Sequence, residues 1–147
     1  MNGIVIIGNG ISGVTCARHL RKNNKVPITI ISSETKHFYS RTALMYVYMG
    51  HMKYEHIKPY EDWFWEKNKI DLIEDHVTKV DSGKKEITLQ NSGSFQYDKL
   101  VIASGSISNI PDVKGTKLKN VQALYGMADL KQLEENTKNL KSAFLRS

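Results

Sequence analysis

Ile4-Val5-Ile6-Ile7-Gly8-Asn9-Gly10-Ile11-Ser12-Gly13 joins an unbroken run of four β-branched residues to the spacing G-x-G-x-x-G. That spacing belongs to a strand-to-helix turn that receives a dinucleotide pyrophosphate. Gly8 permits the tight turn, Gly10 lets the main chain approach the phosphates, and Gly13 lets the helix pack against the strand. The N–H groups that open the helix, at Ile11, Ser12 and Gly13, have no acceptor within the helix and sit at the positive end of its dipole. They can bind an anion without a basic side chain.

The glycine pattern is short, and its surroundings give it weight. Ile4 to Ile7 shows no polar alternation, as a parallel strand covered on both faces should not. Downstream, Val14, Ala17 and Leu20, with Cys16 beside them, mark one apolar helical stripe, while Arg18, Arg21 and Lys22 suit the wet faces and last turns. Asn23-Asn24 ends the helix, Pro27 limits its continuation, and Ile28-Thr29-Ile30-Ile31 reads as a second buried strand. Glu34 then lies about 20 residues past the third glycine, where this unit places the carboxylate that hydrogen-bonds an adenosine ribose. A surface glutamate is the alternative for Glu34, and a βαβ unit whose glycines serve only the turn is the alternative for the whole.

The chain has 147 residues, enough for one compact domain with its own core. Its 40% hydrophobic and 24% charged residues are ordinary for a globular protein. The first apolar run lacks a basic leader and a small-residue cleavage pattern and is too short for a membrane span, so the cytoplasm is the expected compartment. A single cysteine, Cys16, leaves no pair for a disulfide or a dithiol relay within the chain, and it reads best as a small core residue. The net charge of +6 raises the question of nucleic acid, but the lysines are dispersed from Lys22 to Lys141 without a basic block, and no nucleic-acid partner is expected. His51 and His56 are wrongly spaced for one helical face, so no metal site is expected either.

Beyond Glu34, residues 43–49 suggest a short helix ending at Gly50, and Pro59 suggests the first position of another that carries Trp63, Phe64 and Trp65 and stops near Asn68. The two tryptophans read as core caps or, alternatively, as a partner surface. Ile70 to Ile73 reads as a strand; residues 77–80, 86–89 and 95–97 read as an antiparallel meander punctuated at Gly83 and Gly93. Leu100-Val101-Ile102-Ala103 restores the buried parallel type and runs into Ser104-Gly105-Ser106, a second small-residue turn at a strand's carboxyl end, where doubly wound sheets bind ligands. Met127, Leu130, Leu133 and Leu140 suggest a final amphipathic helix. The expected fold is α/β and Rossmann-like, a parallel sheet with helices and an antiparallel β-meander crossover.

The glycine turn, the strand end at Ile30 to Glu34, Tyr39-Ser40-Arg41, and the stretch from Tyr97-Asp98-Lys99 to Ser104-Gly105-Ser106 together resemble the amino-terminal part of FAD-dependent pyridine nucleotide-disulfide oxidoreductase-like proteins. The similarity is to the branch that includes NAD(P)H-dependent rubredoxin, ferredoxin and nitrite reductases, and it extends from Ile4 to about Leu140. The resemblance implies that Gly8, Gly10, Gly13 and Glu34 hold the pyrophosphate and adenosine ribose of FAD. It implies that Arg41 contacts the cofactor near its phosphates, that Val77 offers main chain to the adenine edge, and that Ala103, Ser104 and Gly105 form the turn against the cofactor. For Arg41 a surface ion pair is the alternative; for Val77, plain strand packing.

Two departures narrow the chemistry that the resemblance implies. No lysine stands near Tyr46, where many members place one beside the flavin, and Thr42 and Ala43 occupy the stretch where peroxide and oxygen reductases carry a redox cysteine. Tyr46 and Tyr48 read as flavin-pocket walls or as buried aromatic packing. Members continue into an NAD(P)H-binding domain and an interface domain, so residues 1–147 read as a single truncated FAD-binding domain: an expressed fragment, a shortened gene product, or half of a split enzyme. The expected function is the FAD-binding portion of an NAD(P)H-dependent flavoprotein oxidoreductase, inactive as a lone chain and without identifiable catalytic side chains. Its expected partners are an electron-acceptor protein or a second chain supplying the missing domains. A non-catalytic NAD-binding sensor or scaffold, and an empty structural remnant, stand as alternatives.

Overall fold

A computed structural model describes residues 2–138, which form two compact units, one of residues 2–39 and 58–105 and the other of residues 40–57 and 106–138. In the first unit, strand β1 (Ile4–Ile7), helix α1 (Ile11–Asn23) and strand β2 (Ile28–Ser32) form a parallel β-α-β unit in which Ile4 pairs with Ile28 and Ile7 with Ile31. Helix α1 ends where the sequence places its end, with the Asn24 N–H donating to the Leu20 carbonyl and Arg21 and Lys22 in the last turn.

The absence of polar alternation in β1 has a direct structural cause. Ile4 and Ile6, with Ile28 and Ile30 of β2, pack on one face against Val14 and Ala17 of α1 and against Phe38 and Trp65. Val5 and Ile31 point to the other face and pack against Ile87, Leu89 and Tyr97. Both faces are therefore dry along Ile4, Val5 and Ile6, each of which contributes about 1.5–3 kcal/mol of side-chain burial, while Ile7 at the sheet edge is half-buried.

Helix α3 belongs to this first unit, whereas α2 and α4 belong to the second; α2 spans Leu44–Tyr48, α3 Trp63–Lys67 and α4 Met127–Thr137. The remaining strands are β3 (Ile70–Glu74), β4 (Val77–Asp81), β5 (Glu86–Leu89), β6 (Gly93–Gln96) and β7 (Lys99–Ile102). The parallel sheet has the order β3-β2-β1-β7, and β4-β5-β6 form the antiparallel meander. The meander leaves the parallel sheet after β3 and returns at β7, which places the second small-residue turn directly beside the first: Ile7 pairs with Ile102.

Two expectations shift. The helix expected from Pro59 begins at Trp63 instead, with Asp62 at its N-cap making no capping bond. The Asp62 carboxylate is taken by the Lys58 ammonium at 2.8 Å and by His37 at 3.3 Å. The two tryptophans also part company: Trp65 is core, edge-on to Phe64 at 5.3 Å, whereas Trp63 is exposed beneath the Lys67 ammonium.

In the second unit a short 3-10 turn, Arg41–Ala43, leads into α2, which closes before Gly50 at φ 75°. Tyr46 is exposed, so it does not provide the buried packing considered for it. Helix α4 opens with the Asp129 carboxylate accepting from the Tyr125 and Gly126 N–H groups. The Leu140 end expected for this helix lies outside the described residues.

Asp75, just past β3, is buried and closes the β5-β6 connection onto the sheet. Its carboxylate accepts from the Ser92 hydroxyl at 2.6 Å and from the N–H groups of His76, Asn91 and Ser92 at 2.7 to 3.3 Å. These bonds, the Ser92 hydroxyl first, outweigh the cost of burial and hold its pKa below the ordinary Asp value. The ionised form favours the fold, so this stabilisation is present above the ordinary Asp range near 4 and fades as pH falls through the lowered folded value. Asp75→Asn presents an amide to these donors. It is expected to lower the melting temperature at pH 7, and the gap to wild type should narrow when melts are repeated at successively lower pH.

Candidate functional site

Because β1, β2 and β7 are parallel and in register, their carboxyl ends share one edge of the sheet. The glycine turn, the Ser33-Glu34 segment and the Ala103-Ser104-Gly105 turn all leave from that edge, which is where open α/β sheets bind ligands. The Gly8 N–H donates to the Ile31 carbonyl at 2.7 Å and the Ala103 N–H to the Ile7 carbonyl at 2.8 Å, so β2 and β7 each tie into the start of the glycine turn.

The three glycines separate by what surrounds them. Gly8 has φ 106°, and a Cβ there would lie 2.2 Å from the Ala103 carbonyl oxygen. At Gly13 a Cβ would lie 2.0 Å from the Gly8 carbonyl oxygen. Both are demands of packing. At Gly10 a Cβ would meet nothing within 4 Å. Gly10 is the N-cap of α1, provides no side-chain cap, and is followed by a first turn without acidic residues. The N-terminus of α1 thus has open space where a Gly10 side chain would stand, with Ile11 and Ser12 exposed beside it and Gly13 buried.

Glu34 is half-buried and held in place: the buried Tyr39 hydroxyl donates to its Oε1, and its own N–H donates to Ser32 Oγ at 3.3 Å. Asn9, the variable residue between the first two glycines, is buried, and its Nδ2 donates to the Thr35 carbonyl at 2.6 Å. It therefore fastens the glycine turn to the segment that carries Glu34. Asn9 and Tyr39 are the two residues of this edge that sequence reasoning assigned no role; an amide at the first variable position of the glycine pattern was the available signal for Asn9. Asn9→Ala should cost about 1 kcal/mol in a denaturant titration through the lost hydrogen bond.

Val77 begins β4 and packs, half-buried, against the group formed by Val5, Ile31, Ile87, Leu89 and Tyr97. Ala103 is half-buried, Ser104 is exposed, and Gly105 has φ 73° with nothing within 4 Å of a Cβ. Arg41 lies in the second unit, where Nη1 donates to the Tyr125 carbonyl at 3.2 Å and the guanidinium sits over the Tyr125 ring at 4.7 Å. Cys16 packs half-buried against the core between α1 and the sheet that holds Val14, Ala17 and Ile30. Among the described residues, no three His, Cys, Asp or Glu side chains form a metal-binding group, and no helix is long and apolar enough to cross a membrane.

The chain is 36% identical over 144 residues to an NADH oxidase of Methanocaldococcus jannaschii, an alignment that covers 90% of this chain and 32% of that protein. It is 31% identical to the NADH-rubredoxin oxidoreductase of Clostridium acetobutylicum, covering 97% of this chain and 37% of that one. The crystal structure of the Clostridium acetobutylicum NADH:rubredoxin oxidoreductase superimposes with a TM-score of 0.83 at 30% identity, over 93% of this chain and 36% of that one. The fold is thereby that of the Rossmann-type oxidoreductases, and the chain spans about a third of the length of these two curated relatives. The pyridine nucleotide-disulphide oxidoreductase model matches residues 2–144, and the chain belongs to that family, whose members are FAD-dependent and use NAD(P)H as substrate.

Proposed function

We propose that this chain is the FAD-binding part of an NAD(P)H-dependent flavoprotein oxidoreductase that passes electrons to a small redox protein. The observation that carries the reading is the open approach at Gly10: of the three motif glycines, it alone has empty space where a side chain would stand, directly before the helix N-terminus. A pyrophosphate fits such a cradle, because its oxygens accept from N–H groups that the helix leaves unpaired. The residues present therefore suit an adenine dinucleotide. The adjacent Ala103-Ser104-Gly105 turn, hydrogen-bonded to the end of β1, favours one whose far half runs along the same edge.

In this reading the N–H groups of Ile11, Ser12 and Gly13 bind the pyrophosphate, Glu34 accepts from the adenosine ribose, and Val77 meets the adenine edge. The Ala103 to Gly105 turn supports the flavin side, and Arg41 enters through the family resemblance alone. When bound, FAD supplies the redox chemistry, accepting hydride and releasing electrons; the chain supplies orientation and fixed dipoles. Relatives named for rubredoxin and for ferredoxin suggest the acceptor class. Purified protein tests the reading: a bound yellow chromophore identified as flavin supports it, and colourless protein that binds NAD but not FAD overturns it.

A further inference from the structure

We propose that Tyr39 is a positioning residue for the nucleotide, acting through Glu34 to fix the carboxylate that receives the ribose diol. The proposal rests on the dinucleotide reading above and adds to it a residue that never touches the ligand. Tyr39 is 4% exposed, and its hydroxyl donates to Glu34 Oε1. A buried phenol needs a hydrogen-bond partner, and here its hydroxyl donates to an acidic side chain at the β2 end of the ligand edge.

The arrangement suits presentation of a carboxylate. Glutamate has three side-chain torsions, and a ligand that must order them binds more weakly than one that meets them already ordered. Tyrosine is rigid by comparison, with its ring held by burial. A carboxylate has about four acceptor positions, so accepting from the Tyr39 hydroxyl is compatible with accepting from a ribose diol. The backbone around Glu34 is fixed from two further sides, by Ser32 Oγ on its own N–H and by Asn9 Nδ2 on the Thr35 carbonyl. Thr35 Oγ1 also donates to the His37 carbonyl at 2.9 Å, shaping the short path from Glu34 to Tyr39. Tyr39 thus fixes the side chain while its neighbours fix the main chain.

The test is calorimetric titration of the wild-type chain, Tyr39→Phe, Glu34→Ala and the double variant with two ligands: FAD, and an FAD analogue whose adenosine lacks the 2′ and 3′ hydroxyls. Phenylalanine keeps the buried ring, so ligand-free Tyr39→Phe should still fold cooperatively, with its melting temperature lowered only by the loss of one hydrogen bond. Tyr39→Phe should weaken FAD about tenfold, the size of the side-chain freedom of one glutamate that the ligand must then order. It should leave the analogue's affinity unchanged and add nothing in the Glu34→Ala background. A merely structural tyrosine would weaken both ligands alike and would act whether or not Glu34 is present, and that result overturns the proposal. So does wild-type affinity for FAD in Tyr39→Phe. A wild-type chain that binds neither ligand overturns the dinucleotide reading itself, and is distinct from a chain that binds FAD while ignoring Tyr39.

Discussion

Gly13→Ala is expected to lose about 3 kcal/mol or more of folding stability, a large share of the roughly 5–15 kcal/mol that such a domain has. Helix propensity alone gives the opposite sign, since alanine in a helix is favoured over glycine by about 1 kcal/mol. Packing decides. The new Cβ would stand 2.0 Å from the Gly8 carbonyl oxygen and 3.3 Å from Ile6 Cγ2, and the first of these is backbone that cannot rotate away. Relief requires α1 to lift from β1, which uncovers Val14 and Ala17, both fully buried. Urea titration of the variant should show the loss as a lower midpoint; a midpoint equal to wild type would show that the helix does not approach the turn as described.

Gly10→Val should behave in the opposite way, folding nearly as wild type and failing to bind FAD. Gly10 has φ −67°, a conformation open to any residue, and no atom lies within 4 Å of a Cβ there. The stability change should be within about 1 kcal/mol, the range of a changed N-cap. A pyrophosphate seated on the opening N–H groups of α1 would meet the valine methyls. Overpacking of about 2–3 kcal/mol corresponds to roughly a hundredfold loss of affinity. Melting curves and FAD titrations of the two glycine variants thus separate a glycine kept for packing from one kept for the ligand.

The motif spacing already assigns the three glycines separate roles in the sequence; what the sequence could not carry is how close the backbone comes, 2.2 Å from a Cβ at Gly8 and 2.0 Å from one at Gly13. The sequence did carry the β-α-β unit, because β1 is apolar throughout and a strand dry on both faces has no position for a polar residue. It also carried the meander, whose turns announce themselves at Gly83 and Gly93, and the pairing of two small-residue turns at strand ends. It did not carry the start of α3, because the contest for the Asp62 carboxylate involves Lys58 and the more distant His37. Nor did it carry the roles of Asn9 and Tyr39, whose hydrogen bonds join segments that come together only when β1 and β2 pair. Tyr46 and Trp63 show the limit of composition: both are large and aromatic, and both are exposed.

The central claim is that the N-terminus of α1 receives the dinucleotide, and amide chemical shifts of the isotope-labelled chain titrated with FAD test it most directly. The largest saturable shifts are expected at the N–H groups of Ile11, Ser12 and Gly13, followed by Glu34 and the Ala103 to Gly105 turn. Saturable shifts confined to the β4-β5-β6 meander or to α4, with the α1 amides unmoved, would contradict it.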